Sequence, residues 1–178
     1  DNGFTTTNAL TFNTGTLGGT GTVLLTPGSN MVLRMLVNGN QTLTVGSGVT
    51  IKTNSVATNA QTGNAGSTTS GIINEGTISA ASTGRTFSVT TNAVTNTGTF
   101  QAVNGGTFTV GTNATNLSNL AANTLTGGTW KVGAGSTMNF GTATFANNAA
   151  TIELDGVGST FAAVNPLANN SGSFTIKN

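Results

Sequence analysis

The stretch Asn74-Glu75-Gly76-Thr77-Ile78 recurs a short distance along the chain as Asn96-Thr97-Gly98-Thr99-Phe100. Both copies follow one phrase: asparagine, any residue, glycine, threonine or serine, then an apolar residue. The phrase also stands at Asn13-Thr14-Gly15-Thr16-Leu17 and Asn170-Ser171-Gly172-Ser173-Phe174, and Gly127-Gly128-Thr129-Trp130 is a relaxed copy without the asparagine. Gly128 and Gly172 are twice as far apart along the chain as Gly76 and Gly98. A step of about 22 residues is too short for a globular domain, but it fits one coil of a β-solenoid.

Short stretches between these copies alternate polar and apolar residues. Examples are Thr86-Phe87-Ser88-Val89, Thr107-Phe108-Thr109-Val110 and Thr137-Met138-Asn139-Phe140. A period of two is that of a β-strand, whose successive side chains point to opposite faces. Helices are disfavoured because glycine and asparagine are too dense. We therefore predict that one face of these strands forms the core, with Phe87, Val89, Phe108, Val110, Met138 and Phe140 in it.

Together these patterns predict an all-β fold, a single-stranded parallel β-helix of roughly eight coils, each of about 22 residues. An antiparallel sandwich or barrel is the rival, because short strands at even spacing also suit hairpins. The solenoid is favoured because the repeated phrase would stack on itself, and stacked asparagines can form an amide ladder. The predicted corner and ladder residues are Asn13, Gly15, Asn74, Gly76, Asn96, Gly98, Asn170 and Gly172.

The length predicts a single domain over residues 1–178. We expect excursion loops near residues 58–70 and 113–122. The first stretch has no apolar residue larger than alanine, and the second accounts for the longer step between Gly98 and Gly128.

Composition excludes several classes of function. The chain has five basic and four acidic residues, and no cluster that could neutralise a phosphate backbone. It has no cysteine and no histidine, which excludes disulfides, thiolate metal sites and histidine-dependent triads. No window approaches the roughly 18 apolar residues of a transmembrane helix. We therefore expect no enzyme activity, cofactor, metal site, nucleic-acid partner or transmembrane segment.

Few residues remain as candidates for chemistry. Glu153 and Asp155 are two residues apart, and we interpret them as a solvated pair flanking an inward Leu154 rather than as catalytic carboxylates. Trp130 is a candidate glycan contact, although its spacing is more typical of a core residue. One alternative function is therefore that of a polysaccharide-binding or polysaccharide-cleaving β-helix. A second alternative function is that of an ice-binding β-solenoid, which Thr-x-Thr triplets such as residues 107–109 suggest. These triplets do not recur at a constant spacing along the sequence.

Two stretches resemble large bacterial surface proteins. They are Val-Thr-Asn-Thr-Gly-Thr-Phe-Gln-Ala-Val-Asn-Gly-Gly-Thr-Phe-Thr-Val at residues 94–110 and Ala-Thr-Ile-Glu-Leu-Asp-Gly-Val-Gly-Ser-Thr-Phe at residues 150–161. The likeness is to autotransporter passengers and filamentous-haemagglutinin-like adhesins with β-helical repeats. It covers most of the chain from about Thr11 onward through loose motifs, and it carries over no catalytic residue. The resemblance implies secretion, a right-handed β-helix and a role in adhesion or matrix building.

We therefore expect a non-catalytic structural module of a bacterial extracellular adhesin, surface fibre or biofilm matrix, located at the cell surface. Both ends of the sequence are strand-like and uncapped, which predicts self-association end to end or stacking with further repeats of a longer parent chain. A glycan or a host surface is the other expected partner.

Overall fold

The computed structural model describes residues 9–26, 33–54, 59–65, 69–111 and 113–178. Across these residues the chain forms 19 β-strands and one short 3-10 helix at Ala162–Val164. The strands lie in three sheets, which we call faces A, B and C. Strands that are neighbours in a sheet belong to successive coils of the chain, as in a β-helix.

Face A contains β1 (Ala9–Phe12), β4 (Leu33–Asn38), β7 (Ala60–Ala65), β10 (Thr86–Val89), β13 (Thr107–Val110) and β16 (Thr137–Asn139). Face B contains β2 (Gly15–Leu17), β5 (Thr42–Val45), β8 (Gly71–Asn74) and β11 (Ala93–Asn96). Face C contains β3 (Gly21–Leu25), β6 (Val49–Thr53), β9 (Thr77–Ala80), β12 (Thr99–Ala102), β15 (Thr124–Gly133), β17 (Asn147–Asp155), β18 (Asn169–Asn170) and β19 (Ser173–Lys177). A short strand, β14 (Leu120–Ala121), also joins face C, where it pairs with β15.

Every strand pair within the described residues is parallel except β14 with β15. The prediction of a parallel β-helix is therefore confirmed, and the sandwich of hairpins is excluded. The right-handed sense of winding stays a prediction.

The coils differ in length. On face C, the step from Thr77 to Thr99 is shorter than that from Thr50 to Thr77, and the step from Thr99 to Thr129 is longer than both. Each of these pairs is nevertheless in register. Seven coils cross face C within the described residues, compared with the roughly eight uniform coils predicted. Register is fixed by the buried face of each strand, whereas the corners between strands accept insertions.

The predicted excursion near 58–70 is wrong over residues 60–65. These residues form β7, which continues face A between β4 and β10. Its inward residues are small, but Ala60 and Thr62 are buried under Phe87 and Val89 of the next coil, which fill the space. Thr58 and residues 66–68 lie outside the described residues.

The second predicted excursion, near 113–122, contains turns and then the antiparallel strand β14. It does not leave the stack completely. Leu117 forms a parallel bridge with Val94 of face B, and Leu117 is buried. Thr112 lies outside the described residues.

The core lies between the three faces and consists of columns in which one residue from each coil stacks on the next. The longest column belongs to face C and contains Val23, Ile51, Ile78, Phe100, Trp130, Ile152 and Phe174. Its five middle members are fully buried. Burying one such side chain contributes about 1.5–3 kcal/mol, so these columns hold the coils together.

Candidate functional surfaces

Buried asparagine amides connect successive coils at the corner between faces B and C. Nδ2 of Asn74 donates to Oδ1 of Asn96 at 2.8 Å. The backbone N–H of Asn96 donates to Oδ1 of Asn119 at 2.7 Å, and Nδ2 of Asn119 donates back to the Asn96 carbonyl at 2.8 Å. All three side chains are buried. We call these three residues the asparagine ladder.

The amide also shapes each corner. Nδ2 of Asn74 contacts the carbonyl of Gly76 at 3.3 Å and that of Thr99, in the next coil, at 3.1 Å. Asparagine suits this position because its short side chain carries both donors and an acceptor. One residue type can therefore satisfy the backbone of the turn and bond to the coil above it.

A second ladder repeats this geometry further along the chain. Nδ2 of Asn148 donates to Oδ1 of Asn170 at 2.7 Å, and to the carbonyls of Ala150 and Ser173 at 3.2 Å each. The two ladders are separated by β15, whose register with β17 shifts between Thr126 and Thr129. The stacking of asparagines is therefore interrupted at this coil.

Of the four predicted asparagines, Asn74 and Asn96 lie in the asparagine ladder and Asn170 lies in the second ladder, but Asn13 belongs to neither. Strand register aligns Leu17 with Val45, and Val45 with Asn74, so Asn13 lies four residues away from the ladder position. Its side chain is exposed. The grouping of Asn13 with the ladder is therefore wrong, because the phrase in the first coil precedes face B instead of the corner after it.

Two ladder members were missed from the sequence, Asn119 and Asn148. Neither is followed two residues later by glycine, so neither belongs to a copy of the phrase. The position of Asn148 in the sequence could have identified it as a ladder member, because it precedes Thr151 by three residues, as Asn96 precedes Thr99.

Three of the four predicted corner glycines lie where two coils approach closely. A Cβ added at Gly98 would lie 2.2 Å from the carbonyl oxygen of Gly76, and one at Gly172 would lie 2.1 Å from that of Ala150. A Cβ at Gly76 would lie 2.3 Å from the Val49 oxygen. Gly15 differs, because a Cβ there would meet nothing within 4 Å.

All six predicted core residues, Phe87, Val89, Phe108, Val110, Met138 and Phe140, are buried. Trp130 is buried as well, and its Nε1 donates to the Gly127 carbonyl at 3.0 Å. Its ring lies 5.5 Å from that of Phe100 and 5.3 Å from that of Phe140, nearly perpendicular to both. The assignment of Trp130 as an exposed glycan contact is therefore wrong, and the polysaccharide alternative loses its candidate residue.

Four charged side chains meet on the outer side of face C. Nζ of Lys131 lies 2.7 Å from Oε1 of Glu153 and 3.5 Å from Oδ2 of Asp155, and Nζ of Lys177 lies 3.1 Å from Oε1 of Glu153. The hydrogen bond from Lys131, followed by that from Lys177, lowers the pKa of Glu153. The bond to Glu153 raises the pKa of Lys131 against the opposing effect of desolvation. Glu153 and Asp155 therefore act here as ion-pair partners.

A continuous line of hydroxyl side chains also runs along the outer side of face C. Strand register aligns one hydroxyl residue from each of the seven coils. We call this line the threonine rank, and it consists of Thr22, Thr50, Thr77, Thr99, Thr129, Thr151 and Ser173. Within the described part of the chain these hydroxyls make no hydrogen bond to another protein group. Thr22, Thr151 and Ser173 are exposed, and the other four are half-buried.

Strand propensity alone does not account for the threonine rank. The positions two residues further along have the same phase in the alternation of these strands, although Ser79 is buried. They hold Leu24, Lys52, Ser79, Gln101, Lys131, Glu153 and Thr175. Only one of these seven is threonine. Sequence reasoning missed the rank because the variable coil lengths hide its spacing.

The described residues contain no group of three or more acidic residues that could hold a metal ion. No helix in the described part of the chain is both long enough and apolar enough to cross a bilayer. No protein-family model, curated protein or solved structure matches the chain.

Proposed function

We propose that this chain is a non-catalytic structural module, a stiff β-helical segment of an extracellular adhesin, surface fibre or biofilm matrix. The observation that carries the proposal is the continuity of face C, which runs through seven coils with a buried column beneath it. The bacterial and extracellular setting is supported by the resemblance of residues 94–110 and 150–161 to surface proteins.

Stiffness follows from how the coils are joined. Strand pairing joins the described coils on face C throughout and on faces A and B over part of the stack. Stacked core side chains and, at several corners, asparagine amides add further contacts between coils. In a solenoid each unit contacts only its neighbours, so load passes from coil to coil. The architecture suits a spacer or a fibre segment.

Single-molecule pulling from the two ends tests this function. We expect stepwise lengthening, in which the shortest coils, of about 22 residues, each release at most about 70–80 Å of extended chain. Asn96→Ala should lower the force of the steps that involve its own coil and leave the others unchanged. Extension without resolved steps, at forces typical of an unstructured chain, would contradict the proposal.

The threonine rank supports a second candidate function, binding to ice. Its hydroxyls repeat once per coil, at about 4.7–4.9 Å, over seven consecutive positions. A straight rank of methyl and hydroxyl groups at this spacing can order water into a line similar to a row of oxygens in ice.

Thermal hysteresis measurements test ice binding. We expect Thr99→Lys, in the middle of the rank, to abolish hysteresis, whereas Thr95→Lys on the outer side of face B in the same coil should leave it unchanged. Absence of hysteresis in the unmodified chain at millimolar concentration would exclude this second candidate.

A further inference from the structure

The corner between faces B and C carries a second line of exposed residues beside the threonine rank. Each of these residues precedes a member of the rank by two positions. We call this line the corner column, and it consists of Thr20, Gly48, Glu75, Thr97, Gly127, Ala149 and Ser171. All seven are exposed, whereas four members of the rank are half-buried. A flat object that approaches the rank from solvent therefore meets the corner column as well.

The other side of the rank is lined by longer side chains. Lys52, Gln101, Lys131 and Glu153 each follow a member of the rank by two positions. Nζ of Lys131 is held at 2.7 Å from Oε1 of Glu153, so these two side chains form a bridge between their coils. In the corner column, by contrast, six of the seven side chains are no larger than threonine. The surface beside the rank is therefore low on the corner side and bulky on the other.

We propose, on the basis of the second candidate function above, that the ice-contact surface is asymmetric. It consists of the threonine rank and the corner column, and it excludes the positions on the other side of the rank. Ice presents a flat, rigid surface, so it can contact only groups of similar height. The corner column therefore widens the single line of hydroxyls into a strip, which we call the ice-contact strip.

The ice-contact strip lies along the side of the stack. Neighbouring members of the rank belong to successive coils, so the strip runs in the direction in which the coils stack. In a solenoid each unit contacts only its neighbours in the stack. Further coils at either end would therefore lengthen the strip and leave it exposed.

Glu75 is the one charged residue in the ice-contact strip. It is exposed, and its carboxylate forms no ion pair with the described residues. Removing water from a charge is costly, and a carboxylate orients the water molecules around itself. Glu75 therefore opposes an ordered water layer over Thr77 and the neighbouring members of the rank. Its replacement with a small neutral residue should strengthen ice binding.

Thermal hysteresis of two variants in one coil tests the asymmetry. Thr97 precedes Thr99 by two residues and Gln101 follows it by two, so the two positions flank the same member of the rank. We expect Thr97→Lys to remove most of the hysteresis, because a long charged side chain would then stand in the strip. Gln101→Lys is the matched control and should leave the hysteresis unchanged, because long side chains already occupy its row. Ala149→Lys repeats the test in the corner column two coils further along.

A gain of function tests the role of Glu75. We expect Glu75→Thr to raise the hysteresis above that of the unmodified chain. Asp155→Asn is the control, because it removes the same charge from the far end of β17, outside the strip, and should leave the hysteresis unchanged.

Two results would overturn the proposal: equal losses in Thr97→Lys and Gln101→Lys, or a Glu75→Thr variant with no more hysteresis than the unmodified chain. Circular dichroism establishes that each variant is folded. Absence of hysteresis in the unmodified chain would exclude ice binding itself, and the strip with it. Failure of the strip and failure of the ice-binding function can therefore be told apart.

Discussion

Replacing Asn96 with alanine tests the most specific structural role in this molecule, that of the asparagine ladder. Oδ1 of Asn96 accepts from Asn74 at 2.8 Å, and its Nδ2 donates to the carbonyl of Thr129 at 3.3 Å. The side chain is fully buried. The substitution removes both contacts between coils without introducing a group that could replace them.

The expected loss can be worked out from these contacts. Two hydrogen bonds contribute about 0.5–1.5 kcal/mol each, and the small cavity left behind adds roughly 1 kcal/mol. Nδ2 of Asn74 keeps the carbonyls of Gly76 and Thr99 as acceptors, so no further cost arises from a buried donor without a partner. We therefore expect a loss of about 2–4 kcal/mol in the free energy of unfolding, or about 4–16 °C in Tm for a chain of this size.

Denaturant and thermal unfolding measure this loss, and Asn13→Ala is the matched control. Asn13 stands in a copy of the same phrase, but its side chain is exposed and outside the ladder. Its replacement should lower the free energy of unfolding by clearly less than that of Asn96, because its side chain is exposed. Equal losses for the two variants, or no loss for Asn96→Ala, would refute the ladder as the reason for these asparagines.

Three further predictions concern packing and charge. Gly98→Ala should destabilise the chain by about 1–3 kcal/mol or prevent folding, because the added Cβ would meet backbone atoms. Gly18→Ala is the control, because the nearest atom to a Cβ added there would be 3.8 Å away. Comparison of the unfolding midpoints of the two variants checks this prediction. Trp130→Ala should cost about 3–5 kcal/mol in thermal unfolding, and a folded, equally stable variant would contradict the burial of its ring. The lowered pKa of Glu153 means that its ion pairs stabilise the fold above about pH 4 and lose this effect as the pH falls through the folded pKa. Glu153→Gln should therefore flatten the acid limb of a stability–pH curve by up to about 1 kcal/mol. The raised pKa of Lys131 acts in the opposite direction, and its contribution is present below about pH 10.4 and lost as the pH rises through the folded pKa.

Several features of the fold were accessible from local sequence because they depend on local chemistry. Period-two alternation in stretches such as Thr107-Phe108-Thr109-Val110 determines which side chains face inward, whatever the length of the corners. The recurrence of Asn74 and Gly76 at Asn96 and Gly98 identified the corner where coils stack most closely. These signals indicated the fold class, most of the ladder and the predicted core.

Other features depend on residues that meet only after the chain has wound. The threonine rank joins Thr50, Thr77, Thr99 and Thr129 across three steps of unequal length, and no fixed period in the sequence shows it. The same holds for the ion pair between Lys131 and Glu153, which are adjacent because their strands are in register.

The sequence by itself determined that this chain would form short strands with one apolar face and turn at asparagine–glycine corners, because these are properties of neighbouring residues. Tertiary structure alone decided which coil aligns with which. It excluded Asn13 from the ladder, buried Trp130 and placed β7 in face A. The physical reason is that register is set by the sum of many stacked side-chain contacts between coils, and a single phrase in one coil contributes only a small part of that sum.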